Sequence, residues 1–373
     1  MDKQVYAFDA ALYDELKGIN ILQAVAPLNY RLEKTTFLES NYRYTPKFAY
    51  AETQVDVFSR KRALYNLPLE NLTNPTLIKL YQQVIHSYAD KLDQFLAVGT
   101  PDFLYDSMRY YGEPTVKDIR NAHFILHLPD EPEENEKEYD SSGISRWLTG
   151  FAQEAGYEYE IVLDNTMIAN AMVSDIKVKI NQGARIKETE LKALAHHELG
   201  VHLATTLNAK QQPLKIMTLG SPVNTTTQEG LAILCEYLSG NLTLSRLKVL
   251  AMRVLAVASL IKDKHFNETF LLLKEQYHVP DELAFTITAR VYRGGGFTKD
   301  YLYLQGFRQM LNAYEQRTDF HHLLCGKASL EQLDLISEMV SEGYLIAPKF
   351  ISPAIEKPAQ LSEVDKFIAH AIK

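Results

Sequence analysis

Residues 195–203 read AHHELGVHL, and the interval between the histidines decides how the surrounding chain must fold. A His-Glu pair with a second histidine four residues after the first is the usual helical device for holding zinc beside a general base. In this stretch His197 precedes Glu198, but the next histidine, His202, comes five residues after His197. Helical residues advance by about 100° each, so side chains four apart project within about 40° of each other and those five apart diverge by about 140°. A regular α-helix would therefore point the two imidazoles apart. A π-type turn, bonded i→i+5, absorbs the additional residue, and such turns concentrate at functional sites. Gly200, between the histidines, eases that distortion because it lacks a β-carbon. The competing reading is two unrelated histidines on an ordinary helix.

A third ligand is available downstream. The stretch TTTQEGLAILCEYL (225–238) starts with polar residues and continues as an apolar run, which reads as a helix opening with Glu229 in its first turn. Two histidines and a glutamate, with one position left open, form a standard catalytic zinc site. Glu236, seven residues further on the same face, is a reserve ligand or a partner for a ligating histidine. Without the upstream motif, Glu229 would read as an acid offsetting the helix dipole.

HHELGVH together with QEGLA resembles the QEGLA-motif (flavohemoglobin expression-modulating) proteins of bacteria and the related MATCAP-type tubulin tyrosine carboxypeptidases. The likeness extends more weakly through TTFLESNYRYTPKFAY (from residue 35), DFLYDSMRYYGEP, RVYRGGGFTKDYLY and APKFI near 350. It implies a zincin-like, gluzincin-type metallopeptidase in which His197, His202 and Glu229 hold Zn2+ and Glu198 is the general base. It also implies removal of a C-terminal, aromatic residue from a peptide or protein. The HExxxH spacing resembles zinc dipeptidyl peptidases as well, so an amino- or dipeptidyl-peptidase is the alternative activity, and a regulatory protein with a structural zinc is the alternative class. In many His₂Glu peptidases an acid four residues after the third ligand orients the first histidine. Here that position is Ile233, so the orienting acid must come from elsewhere, with Glu236 the nearest choice.

A carboxypeptidase also needs a cation for the terminal carboxylate and a donor for the developing oxyanion. RVYRGGGFTKD (290–300) offers Arg290 and Arg293 for the first task and the Tyr292 hydroxyl for the second. The competing reading is a basic helix end stopped by glycine. The triple glycine does not make a phosphate loop, because the G-x-x-x-x-G-K-[ST] pattern is absent. His321, His322 and Cys325 fall too close together on one element to converge on a second metal.

The 373 residues are 46% hydrophobic and 23% charged, which suits a soluble globular protein with an ample core. Of the net charge of −8, the segment PDEPEENEKEYDSSG (129–143) carries −6 and reads as a solvated loop. The nearly neutral remainder has no electrostatic footprint for nucleic acid. The apolar stretch 247–262 contains Arg253 and is too short for a membrane span. With Cys235 and Cys325 read as buried free thiols and no secretory signal, the expectation is a cytoplasmic protein. The fold class expected is α+β and mostly helical, with a small sheet beside the motif helix. Residues 1–128 form a helical N-terminal region, 129–143 the acidic loop and 144–373 the zinc-binding catalytic domain. Strands are expected at 123–128, 158–164 and 175–181, the last at a sheet edge because Val178 and Ile180 alternate with Lys177 and Lys179.

Overall fold

Apolar residues recur at helical spacing through 76–98. This computed structural model, which describes residues 3–52, 54–130, 135–165, 167, 169–219, 224–263 and 265–373, has a helix at Pro75–Ala97. Asn74 caps it, accepting from the Thr76 and Leu77 N–H groups at 2.8 and 3.1 Å, and Pro75 occupies a position whose N–H has no helical partner. Helices Val57–Tyr65 and Phe103–Tyr111 pack on it. Downstream helices run Leu244–Asp263, Asp281–Tyr292, Leu302–Gln316 and Leu333–Ser341. The fold is α+β and mostly helical.

The β structure is small. Strand β1 (Glu138–Asp140) pairs antiparallel with β5 (Arg185–Lys187). Strands β2 (Glu160–Asp164), β3 (Ala171–Ser174) and β4 (Lys177–Asn181) form a sheet in the order β2-β4-β3, with β2 parallel and β3 antiparallel to β4. The expected edge strand is thus the central one. Its alternation reports which face is wet, not whether both sides are paired: Val178 and Ile180 are fully buried, while Lys177 and Lys179 pair with Glu160 and Asp164 of β2 at 3.5 and 3.7 Å.

Two other expectations change. The stretch 123–128 belongs mostly to helix Val116–Leu126, not to a strand. Its start is fixed by a reciprocal cap between Thr115 and Asp118, whose contribution outweighs the β-branched, aromatic content of the later turn. Of the acidic segment, residues 131–134 lie outside the described residues. Its end is not a loop, because Glu138–Asp140 is β1 and Asp140 caps helix Ser141–Glu154, accepting from Gly143 N–H at 2.8 Å.

Apolar burial divides into two cores, and the motif lies between them. One core holds Ile144 and Leu148 of helix Ser141–Glu154, Val178 and Ile180 of the sheet, and Leu191, Ala195, Leu199 and Leu203 of the motif helix. The other joins N-terminal side chains such as Leu12, Phe37 and Leu92 to the C-terminal helices, and takes Val201 from the motif helix. Two close approaches shape the second core. Helix Asn224–Leu238 crosses Leu302–Gln316 at Gly230 and Gly306, where a β-carbon on Gly230 would lie 2.2 Å from the Gly306 carbonyl carbon. Gly294, Gly295 and Gly296 have φ of 75°, 109° and 135°, and a β-carbon on Gly295 would lie 2.0 Å from Thr100 O. Only glycine fits such a turn.

Candidate metal centre

The helical stretch carrying the motif runs as α-helix over Glu188–His197, π-helix over Glu198–Leu203 and α-helix again over Ala204–Gln211. Ala204 N–H reaches Leu199 O, five residues back. This widening lets both histidines face one side: their ring centroids are 5.0 Å apart. Gly200 has a further reason to be glycine, since a β-carbon there would lie 2.9 Å from Ser352 Oγ.

Helix Asn224–Leu238 brings Glu229 opposite the histidines, beyond its first turn and not within it. Glu229 Oε2 lies 3.6 Å from His197 Nε2 and 3.7 Å from His202 Nε2, and one ligand atom from each residue falls within 4.8 Å of the others. Two ligands ~2.1 Å from a tetrahedral centre stand ~3.4 Å apart, so the spacing suits a single small cation. The donor set suits one too. Burial alone would lower the His197 pKa, but hydrogen bonding to Glu229 and Glu236 raises it to about 10. Burial would raise the Glu229 carboxyl, yet the Lys299 ammonium and the two imidazoles hold it well below its usual range. Two carboxylates around a buried imidazole therefore stabilise positive charge between them. Among the described residues this is the only cluster of metal-ligating groups of this kind.

The remaining ring nitrogen of His197 is accounted for. Nδ1 lies 2.7 Å from Glu236 Oε1, and Arg246 grips the same carboxylate through Nε and Nη2 at 3.2 Å each. Burial opposes charge on Glu236, but Arg246 and His197 overcome it and keep the carboxyl low. Glu236 thus fixes the imidazole's tautomer and orientation, leaving Nε2 for a metal. Glu198 is 8% exposed, and its Oε2 accepts from Val173 N–H of β3 at 2.9 Å. The sheet edge therefore orients the carboxylate expected to act as base.

The residues expected to bind substrate are placed less simply. Tyr292 does not join the cluster's hydrogen bonds; its hydroxyl is 2.9 Å from Thr269 Oγ1. Arg290 is already paired with the fully buried Asp300, through Nε at 2.5 Å and Nη2 at 3.0 Å. Arg293 lies over the Phe297 ring at 4.8 Å, with Nε buried and without a hydrogen-bond partner. The turn that follows supplies Lys299, which the sequence reading does not single out. Lys299 donates to Glu229 Oε1 at 2.8 Å and to the Tyr303 hydroxyl at 3.0 Å. Arg253, 5.3 Å from the Tyr303 ring centroid, also has a buried Nε without a partner. Burial pushes its guanidinium down to about 10, with Arg290 adding to the effect. Lys299 and Tyr303 stand four apart in TKDYLY, at helical spacing, but only the fold brings Glu229 to them. His322 hydrogen-bonds Ser337 at 2.9 Å and Cys325 is a buried free thiol, as is Cys235.

A family model described as microtubule-associated tyrosine carboxypeptidase (MATCAP) matches residues 35–373. A mouse (Mus musculus) protein named "Putative tyrosine carboxypeptidase MATCAP2" is 24% identical over 383 aligned residues, which take in 96% of this chain and 65% of that protein. This chain therefore spans just under two thirds of the relative's length. No helix of the described residues is long and apolar enough to cross a membrane.

Proposed function

The chain belongs to the microtubule-associated tyrosine carboxypeptidase family, and from that premise we propose that it is a zinc-dependent peptidase removing an aromatic residue from the C-terminus of a peptide or protein. The observation that carries the reading is the triangle of His197 Nε2, His202 Nε2 and Glu229 Oε2 with Glu198 beside it. A zinc ion held by those three side chains would supply Lewis-acid activation of a water and of the scissile carbonyl.

The protein's own groups then divide the work. Val173 N–H holds Glu198 Oε2, which leaves Oε1 to take a proton from the attacking water and return it to the leaving amine. Glu236 keeps the proton of His197 on Nδ1. For the terminal carboxylate the favoured partners are Arg293 and Arg253, whose Nε donors are buried and unmet. Arg290 supports them from its pairing with Asp300. Around Tyr303, the cations Arg246, Arg253, Arg290, Arg293 and Lys299 outnumber the acids Glu229, Glu236 and Asp300. A buried excess of positive charge favours an anionic ligand.

Metal analysis should find about one zinc per chain, lost in a His197→Ala, His202→Ala double variant. Glu198→Gln should keep the zinc and lose turnover by roughly 10²–10⁴-fold. Arg293→Met should weaken turnover of free-acid peptides far more than that of their carboxyl-amidated forms. Equal cleavage of amidated and free-acid peptides by the parent enzyme would exclude a carboxypeptidase, and full zinc retention in the double variant would exclude this centre.

A further inference from the structure

Lys299 lies in the tight turn Thr298–Tyr301 and is 6% exposed. It gives the two oxygens of Glu229 different surroundings. Oε1 accepts from the Lys299 ammonium at 2.8 Å, while Oε2 faces both imidazole Nε2 atoms at 3.6 and 3.7 Å. The same ammonium donates to the Tyr303 hydroxyl at 3.0 Å, one helical turn further on. Two acceptors thus hold the ammonium in place, on a chain segment pinned by Thr298 N–H bonding to the buried Ser107 Oγ at 2.9 Å.

The arrangement matters because a carboxylate can bind a metal through one oxygen or two. The second mode would fill the coordination position that a catalytic site keeps open. Resting on the zinc-peptidase reading above, we propose that Lys299 is the positioning residue of this centre: it captures Glu229 Oε1 and so fixes Glu229 as a one-oxygen ligand. A charge-assisted hydrogen bond is well suited to the task, being stronger than one from a neutral donor. Burial makes it persistent, since separating the pair would leave an uncompensated charge away from bulk water. Tyr303 serves the same end by accepting a second hydrogen bond from the ammonium. An ion pair serving stability alone would not need Oε2 turned to both histidines, and it would leave the coordination mode of a bound metal unchanged on removal.

The test uses the full chain loaded with zinc alone. X-ray absorption at the zinc edge should show one carboxylate oxygen in the parent and an additional one in Lys299→Met. Chelator competition should show the variant's zinc affinity shifted by about tenfold or more. A folded Lys299→Met that keeps the parent's shell and affinity overturns the proposal while leaving the peptidase reading intact. Should the variant fail to fold, a zinc-loaded structure of the parent decides: Oε1 on Lys299 with Oε2 alone on zinc supports the proposal, and a two-oxygen Glu229 or a Lys299 turned away overturns it. A parent chain that binds no zinc sinks both the proposal and the reading on which it rests.

Discussion

His197 does different work with each ring nitrogen, and on the zinc-peptidase reading proposed above this sets how zinc and protons would exchange. In the zinc-free chain its pKa of about 10, raised by hydrogen bonding to Glu229 and Glu236 against the pull of burial, keeps the ring protonated near neutral pH. The sign of the linkage follows. A raised pKa stabilises the zinc-free fold fully below about 6.5, the ordinary histidine value, and that contribution fades as pH climbs toward 10. Zinc at Nε2 must displace the proton there, while Nδ1–H stays on Glu236. Binding at pH 7–8 should therefore release about one proton per zinc from this residue. Titration calorimetry in buffers of different ionisation enthalpy measures the number directly, and a release near zero would contradict the arrangement. At this scale the histidine interval left two readings open, a widened turn or two unrelated histidines, and the fold has the widened turn. Lys299 was not legible, because its partner Glu229 is 70 residues away and no periodicity links them. The partners of Tyr292 and Arg290 could not be read for the same reason, since Thr269 and Asp300 engage them only in the folded chain.

At the scale of elements, the π segment makes two histidines five apart converge, and the buried Ser352 packs against it at Gly200. A methyl at position 200 would stand 2.9 Å from Ser352 Oγ but 3.8 Å from its Cβ. Only the hydroxyl is crowded. Gly200→Ala should accordingly lower stability by roughly 1–3 kcal/mol, the usual range for overpacking a tight interior. It should also weaken zinc binding, because strain at Gly200 is shared with His202 two residues on. Ser352→Ala removes the obstructing atom, so the double variant should recover most of both losses. Denaturant midpoints and chelator competition across the four proteins test this; additive losses would place the strain elsewhere. The widened turn could be read from the histidine interval, but its lining by Ser352 could not, as that contact crosses 152 positions of chain. Helix 116–126 and the place of β4 were missed on other grounds. A cap two turns upstream outweighed local β propensity, and alternation distinguishes faces but not edges.

Over the whole molecule, the candidate metal centre is braced from the N-terminal helix Lys3–Leu16. Asp9 on that helix is 2% exposed, and its carboxylate accepts from Lys215 N–H at 2.6 Å, Ile216 N–H at 3.3 Å and the Tyr81 hydroxyl at 3.2 Å. Lys215 and Ile216 lie on the connection from the motif helix, which ends at Gln211, to the helix that presents Glu229. One buried acid thus ties three distant parts of the chain together, though it precedes residues 35–373 that match the family model. Composition foretold a large core but not this sharing of it, since Asp9 and Lys215 are 206 positions apart. Asp9→Ala leaves two backbone donors and a buried phenol without their acceptor, and hydrogen bonds to a charged group contribute ~1.5–3 kcal/mol each. Partial rescue by water would reduce the sum, so a loss of roughly 2–4 kcal/mol is expected. Asp9→Asn keeps one acceptor oxygen and should lose less. If the brace also holds the ligands in register, Asp9→Ala should weaken zinc binding even though residue 9 touches none of His197, His202 or Glu229. Denaturation midpoints should rank the parent above Asn and Asn above Ala, with zinc affinity in the same order. A fall in stability with zinc affinity unchanged would confine Asp9 to the fold and detach the N-terminal helix from the site.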